Sequence, residues 1–153
     1  MTAKDIMTRD VITVKPGTSI EELSNSLADN RISGTPVVSD DGLLVGIVTE
    51  KDLIRQNSRL HIPTFFRIFD AVITFDRPGE MLDEMKRMAA TTVDEICTKD
   101  VVTIEPDTTV SEIATIMTDK NVHLLPVVEA GEIVGIIGKA DMVRALSSKT
   151  DKG

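Results

Sequence analysis

Three residue types at a fixed spacing stand out as able to do chemistry. The run Gly46-Ile47-Val48-Thr49-Glu50-Lys51-Asp52 sets a glycine, a hydroxyl and a carboxylate three positions apart. The run Gly135-Ile136-Ile137-Gly138-Lys139-Ala140-Asp141 repeats it, with Gly138 in the hydroxyl's place. Glycine lets another group approach the backbone closely. A threonine where a strand gives way to a helix sits among unpaired N–H groups, at the positive end of the helix dipole, which suits a phosphate. An aspartate one turn later can accept two hydrogen bonds, as a ribose diol would offer. The same residues also fit a helix cap, with Thr49 at N-cap and Asp52 at N3, and a cap needs no ligand. Asp141 persists although its capping Thr has become Gly138, which favours the ligand-binding alternative; the motif alone leaves both open.

Other chemistry is sparse. The histidines are His61 and His123, and the single cysteine is Cys97. They supply no Ser-His-Asp or Cys-His set, no zinc spacing and no internal disulfide. No P-loop is present. Asp40-Asp41 precedes Gly42 and reads as a turn. The expectation is a chain with no catalytic residues, no required cofactor and no metal. A net charge of −8, with basic residues scattered among acidic ones, argues against nucleic acid. No stretch approaches the roughly 20 apolar residues of a membrane span, and Met1 to Asp10 lacks an apolar signal core, so a reducing cytoplasm is expected.

These motifs are positioned by an internal repeat. The run from Asp5, DIMTRDVITVKPGTSIEEL, aligns with EICTKDVVTIEPDTTVSEI from Glu95 at an offset of 90. The offset carries Pro16 onto Pro106 and Pro36 onto Pro126; one residue is then lost in a turn, and an offset of 89 carries Asp52 onto Asp141 and Arg55 onto Arg144. Cys97 falls on Met7, which points to apolar packing. Each copy reads as β-α-β-β-α. Val11 to Val14 is a β-branched run stopped by Pro16-Gly17. Thr18-Ser19-Ile20-Glu21 has capping-box spacing, and Ile20, Leu23, Leu27 and Ile32 follow at helical intervals. Val37-Val38, an Asp-Gly turn and Leu43 to Val48 form a hairpin, and a second helix opens at Leu53. One such copy is too small to be stable alone. The chain is therefore expected to divide into repeats at 1–58 and 92–150 and a segment at 59–91.

The pairing of "VITVKP" with "VVTIEP", and of "RISGTPVVSDDGLLVGIVTEKDL" with "NVHLLPVVEAGEIVGIIGKADMV", resembles a CBS-domain pair, or Bateman module. The resemblance implies an α+β fold, two units packed with pseudo-twofold symmetry. It also implies a regulatory, signal-transducing role with AMP, ADP, ATP or S-adenosylmethionine bound as effector in one or both clefts between the repeats. By resemblance, Asp52 and Asp141 hold ribose hydroxyls and Thr49 contacts phosphate; Gly138 departs from that pattern. Adenine would lie among Ile12, Thr13, Val14 and Pro16 with Ile32, Ser33, Gly34, Thr35 and Pro36. Its second place would be among Val102, Thr103, Ile104 and Pro106 with Val122, His123, Leu124 and Pro126. His123 stands where a basic phosphate contact is often found, opposite Ser33 of the first copy, so the two sites are not expected to be equivalent. Arg31 and Lys139 are lesser candidates.

The middle segment is apolar in an unusual way. Every Phe of the chain (Phe65, Phe66, Phe69, Phe75) lies there, with three of the seven Met (Met81, Met85, Met88). Flexible linkers are not so composed. Helices over 62–88 are expected, making a homodimer contact or folding back as a lid. A regulated enzyme or transporter in trans is the further expected partner. The alternative function is a scaffold that docks a partner through this segment with its clefts empty.

Overall fold

A computed structural model describes residues 1–56 and 91–148. In chain order its elements are α1 (Ala3–Ile6), α2 (Ile20–Asn30), β1 (Gly34–Val38), β2 (Leu44–Thr49), α3 (helical over 50–56), α4 (Val93–Ile96), α5 (Val110–Asp119), β3 (Leu124–Glu129), β4 (Glu132–Gly138) and α6 (Lys139–Ser147). The expected helices at 62–88 lie outside the described residues. Among the described residues, no helix is long and apolar enough to cross a membrane.

The β-branched runs that open each repeat do not become full strands. Val14 makes a single parallel bridge to Val37, and Ile104 one to Val127. Proline explains the limit, because it has no N–H to donate. The Ile104 N–H donates to the Pro126 carbonyl at 3.1 Å, and the Val128 N–H donates to the Ile104 carbonyl at 2.8 Å. The next rung one way needs an N–H from Pro126, and the other way one from Pro106. In the first copy the Val14 N–H donates to the Pro36 carbonyl at 3.1 Å, with Pro16 and Pro36 in the matching places. The ladder stops after one rung in both copies.

The helix caps differ by one position from the sequence expectation. The N-cap of α2 is Ser19, whose hydroxyl accepts from the Glu22 N–H at 3.1 Å. Thr18 is occupied earlier: its hydroxyl accepts from the Lys15 N–H at 3.1 Å and closes the Pro16-Gly17 turn. In the second copy Thr109 caps α5 and exchanges hydrogen bonds with Glu112, so the Glu112 carboxyl is held below the usual glutamate range. The two hairpins absorb the lost residue. The first turns with Gly42 at φ 81°, the second with Ala130 and Gly131 at 51° and 81°. Two successive positive φ values are the requirement of a two-residue type I′ turn.

The chain divides into two compact units that do not follow the repeats. One draws on Met1–Thr13, Val38–Val45 and the described residues from Lys99 onward; the other on Val14–Val37 and the described residues between Gly46 and Thr98. The opening segment of each repeat therefore packs on the body of the other repeat. In the first unit the Ala3 N–H donates to the Thr108 carbonyl (2.8 Å) and the Lys4 N–H to the Pro106 carbonyl (2.9 Å), while Thr8 and Ile136 exchange two bonds of 2.9 Å. The second unit repeats these contacts. Val93 donates to Thr18 and Asp94 to Pro16, while Thr98 and Ile47 exchange two bonds, all at 2.9 Å.

The aliphatic cores follow the same exchange. Ala3 is buried with Ile104, Val110, Ile113, Leu125, Val127, Ile137 and Met142, and Ile6 and Met7 pack against them. Val93 is buried with Val14, Leu23, Leu27, Val37 and Val48, and Ile96 and Cys97 pack against them. The motif glycines serve this packing. A Cβ on Gly46 would meet the Cys97 Sγ at 2.8 Å and the Thr98 carbonyl oxygen at 3.1 Å; one on Gly135 would meet the Met7 Cγ at 2.7 Å. What approaches these glycines is the strap from the other repeat.

Gly46→Ala is expected to cost about 1–3 kcal/mol in urea unfolding, as overpacking does. Gly135→Ala is expected to cost less, because Met7 is unbranched and can swing aside. Adding Cys97→Ala to Gly46→Ala should recover part of the loss; equal costs at the two glycines, or no recovery, would contradict this packing. Ala130→Gly should raise stability by roughly 0.5–1 kcal/mol, since relief of a left-handed alanine outweighs the added chain entropy. A fall in the denaturation midpoint would contradict that turn assignment.

Candidate functional site

Each strand-to-helix junction ends in a buried carboxylate. Asp52 is 8% exposed and Asp141 7%. Asp52 Oδ2 accepts from the Thr49 N–H at 2.9 Å and from the Thr49 hydroxyl at 3.3 Å, while Oδ1 lies 3.7 Å from the Arg55 guanidinium. Asp141 Oδ2 accepts from the Gly138 N–H at 2.8 Å. Its Oδ1 pairs with Arg144 and takes a 3.5 Å contact from the Thr8 hydroxyl.

This geometry changes the meaning of Gly138. The aspartate caps its helix by accepting a backbone N–H, which glycine supplies as well as threonine does. Persistence of Asp141 beside Gly138 is therefore compatible with a cap and does not by itself point to a ligand. The N–H groups at the junction are also partly engaged: that of Thr49 by Asp52, and that of Glu50 by the Ser33 carbonyl at 2.8 Å. The Thr49 hydroxyl is half-buried and turned toward Asp52.

Burial separates the remaining candidates. In the second unit Val14, Gly34, Thr35 and Pro36 are buried, Ile32, Pro16 and Thr49 are half-buried, and Ser33 is exposed. Ile12 and Thr13 belong to the first unit, half-buried and exposed respectively. The second set falls wholly within the first unit. There Ile104 and Pro126 are buried, Val102, Pro106, Val122, His123, Leu124 and Gly138 are half-buried, and Thr103 and Lys139 are exposed. The buried members are core residues, so what they can offer a ligand is main chain. Strand pairing brings the segment before each Pro-Val-Val strand to its junction. Leu124 is the register partner of Gly138, whose Cβ position lies 3.9 Å from the His123 carbonyl oxygen. Arg31 holds φ 53° just past α2 and is exposed. Among the described residues no cluster of His, Cys, Asp or Glu could hold a metal ion.

Sequence reasoning gave no role to Arg55 and Arg144. The signal was present, an Asp-x-x-Arg spacing in both copies, and the structure brings each guanidinium to the buried carboxylate one turn before it.

The sequence pattern of the CBS domain matches residues 3–58 and 93–148. An uncharacterized protein of Methanocaldococcus jannaschii is 29% identical over 95% of this chain and 91% of its own length. A chloroplastic CBS domain-containing protein of Arabidopsis thaliana, CBSX1, is 31% identical over 94% of this chain. The chain spans 42%, 24% and 63% of the next curated relatives it matches. The 24% match is to a homoserine O-acetyltransferase of Methanosalsum zhilinae, so the likeness to that enzyme covers about a quarter of it. Among solved structures, the CBS domain pair of protein MJ0100, in complex with 5′-methylthioadenosine and S-adenosyl-L-methionine, superposes with a TM-score of 0.73. It is 27% identical, and the match covers 97% of this chain and 98% of that one. With two matched segments spanning both repeats and a shared tertiary fold, this chain belongs to the CBS-domain family, as a tandem pair.

Proposed function

We propose that the chain is a non-catalytic regulatory module that binds an adenosine-containing ligand through Asp52 and Asp141. The burial of these carboxylates carries the reading. Capping a helix does not require burial: Asp5 and Glu112 do the same work in this chain while exposed. Taking a carboxylate out of water is costly. Both repeats nevertheless bury one at the same junction. A carboxylate has about four acceptor sites, so the cap and the arginine leave capacity for a ribose hydroxyl.

One further feature supports adenine beside that ribose. The related MJ0100 domain pair takes adenosyl ligands. The effector is AMP, ADP, ATP or S-adenosylmethionine, and the regulated target is an enzyme or transporter in trans. Outward-facing Ile54 and Val143, 67% and 66% exposed at equivalent places in the two repeats, favour a second reading. On that reading the chain is an interaction subunit, or pairs with its own copy, and the 62–88 segment adds to the contact.

Asp52→Ala and Asp141→Ala should each weaken binding at their own site by about 1.5–3 kcal/mol, as for a hydrogen bond to a charged group. Asp→Asn keeps one acceptor oxygen and should fall between. Calorimetry giving no heat with AMP, ADP, ATP or S-adenosylmethionine at millimolar concentration would overturn the reading and leave the interaction subunit. His123→Ala should weaken only one of two unequal sites for a phosphorylated ligand. Titrations of the parent and of this variant that both fit two identical sites would count against that asymmetry.

A further inference from the structure

We propose that Thr8 is a positioning residue for the Asp141 site, and that through it ligand binding tightens the docking of the strap 1–8. The inference rests on the adenosyl reading above and adds the element that reports occupancy. At the Asp52 junction the carboxylate takes a hydroxyl from its own repeat: Thr49 Oγ1 donates to Oδ2 at 3.3 Å. At the other junction Gly138 has no hydroxyl to give. There the hydroxyl comes from the strap, with Thr8 Oγ1 3.5 Å from Asp141 Oδ1. The contact has passed from the helix cap of one repeat to the opening segment of the other.

The main chain gives this contact a consequence. Thr8 and Ile136 exchange two hydrogen bonds of 2.9 Å, and β4 then runs to Gly138, whose N–H donates to Asp141 Oδ2 at 2.8 Å. One strap residue therefore holds both the end of β4 and the carboxylate that follows it. Thr98 exchanges the matching main-chain bonds with Ile47, but among the described residues its side chain makes no hydrogen bond to Asp52. A carboxylate turns about its Cβ–Cγ bond, and a hydroxyl on Oδ1 fixes the direction in which Oδ2 keeps spare acceptor capacity. Such coupling is reciprocal: the factor by which Thr8 strengthens binding is the factor by which binding strengthens strap docking. Position 138 has room to undo the arrangement. A Cβ there would stand 3.6 Å from Leu124 Cδ1 and 3.8 Å from Asp141 Oδ2, on extended backbone at φ −112°. Gly138→Thr can therefore reproduce what Thr49 does at Asp52.

The test uses full chains carrying Asp52→Ala, which leaves the Asp141 site alone, titrated calorimetrically with AMP and adenosine. Thr8→Val should weaken both ligands about two- to fivefold, the low end for one hydrogen bond. Thr8→Ser keeps the hydroxyl and should retain most of the affinity, and Gly138→Thr added to Thr8→Val should recover most of the loss. Thr98→Val in an Asp141→Ala chain should leave binding at the Asp52 site unchanged. The Ile136 amide donates to the Thr8 carbonyl. Its hydrogen exchange should slow by the matching factor under saturating AMP, and the slowing should vanish in Thr8→Val. Unchanged affinity in Thr8→Val, a loss for AMP with adenosine unaffected, or no rescue by Gly138→Thr overturns the proposal and leaves the adenosyl reading standing. A parent chain that binds neither ligand overturns both.

Discussion

In each compact unit a side chain from the other repeat lies against a bare glycine Cα, Cys97 on Gly46 and Met7 on Gly135. The rest of the structure depends on that close approach. It lets Thr98 and Thr8 pair with Ile47 and Ile136 along β2 and β4, and it seats α4 and α1 with Val93 and Ala3 fully buried. A repeat of some fifty residues buries too little apolar surface to stand alone. Exchange of the opening straps completes each core with residues from the other copy.

The same strands carry the candidate site. β2 and β4 are gripped by the strap near their middle, and each ends at a helix whose third residue is the buried aspartate. The strap reaches further in the first unit, where the Thr8 hydroxyl contacts the Asp141 carboxylate. A ligand that changed the hydrogen bonding of that carboxylate would act on a contact made by the strap. This is a physical route from occupancy to packing, and it does not depend on any catalytic group.

The aspartates cap their helices, and on the proposed reading they also hold a ribose, two tasks whose requirements differ. Capping needs an acceptor near the first helical N–H and is done elsewhere in the chain by exposed Glu112 and Asp5. Recognition of a diol needs an acceptor held rigidly out of water, with a fixed direction. Burial at both junctions meets the second requirement at a cost that the first would not impose. The paired arginines reduce that cost by supplying an opposite charge at the rim.

Much of this was legible from local pattern. The duplication, the helix-strand-strand-helix order within each copy, the hairpins, the turn that loses a residue and the aspartates at the helix starts all follow from spacing, turn chemistry and helical periodicity, which act over a few residues; the short opening helices α1 and α4 were not read from the sequence. Capping at Ser19 instead of Thr18 was not legible, because it depended on Thr18 closing the preceding turn. The shrinkage of the opening strands to one bridge was in principle legible from Pro16, Pro36, Pro106 and Pro126, but only once the strands' partners were known. The role of Gly46 and Gly135 and the composition of the two units were decided by tertiary structure alone. Two copies with the same local pattern offer a strap the same surface on either copy, so no short-range rule chooses between them; long-range packing does.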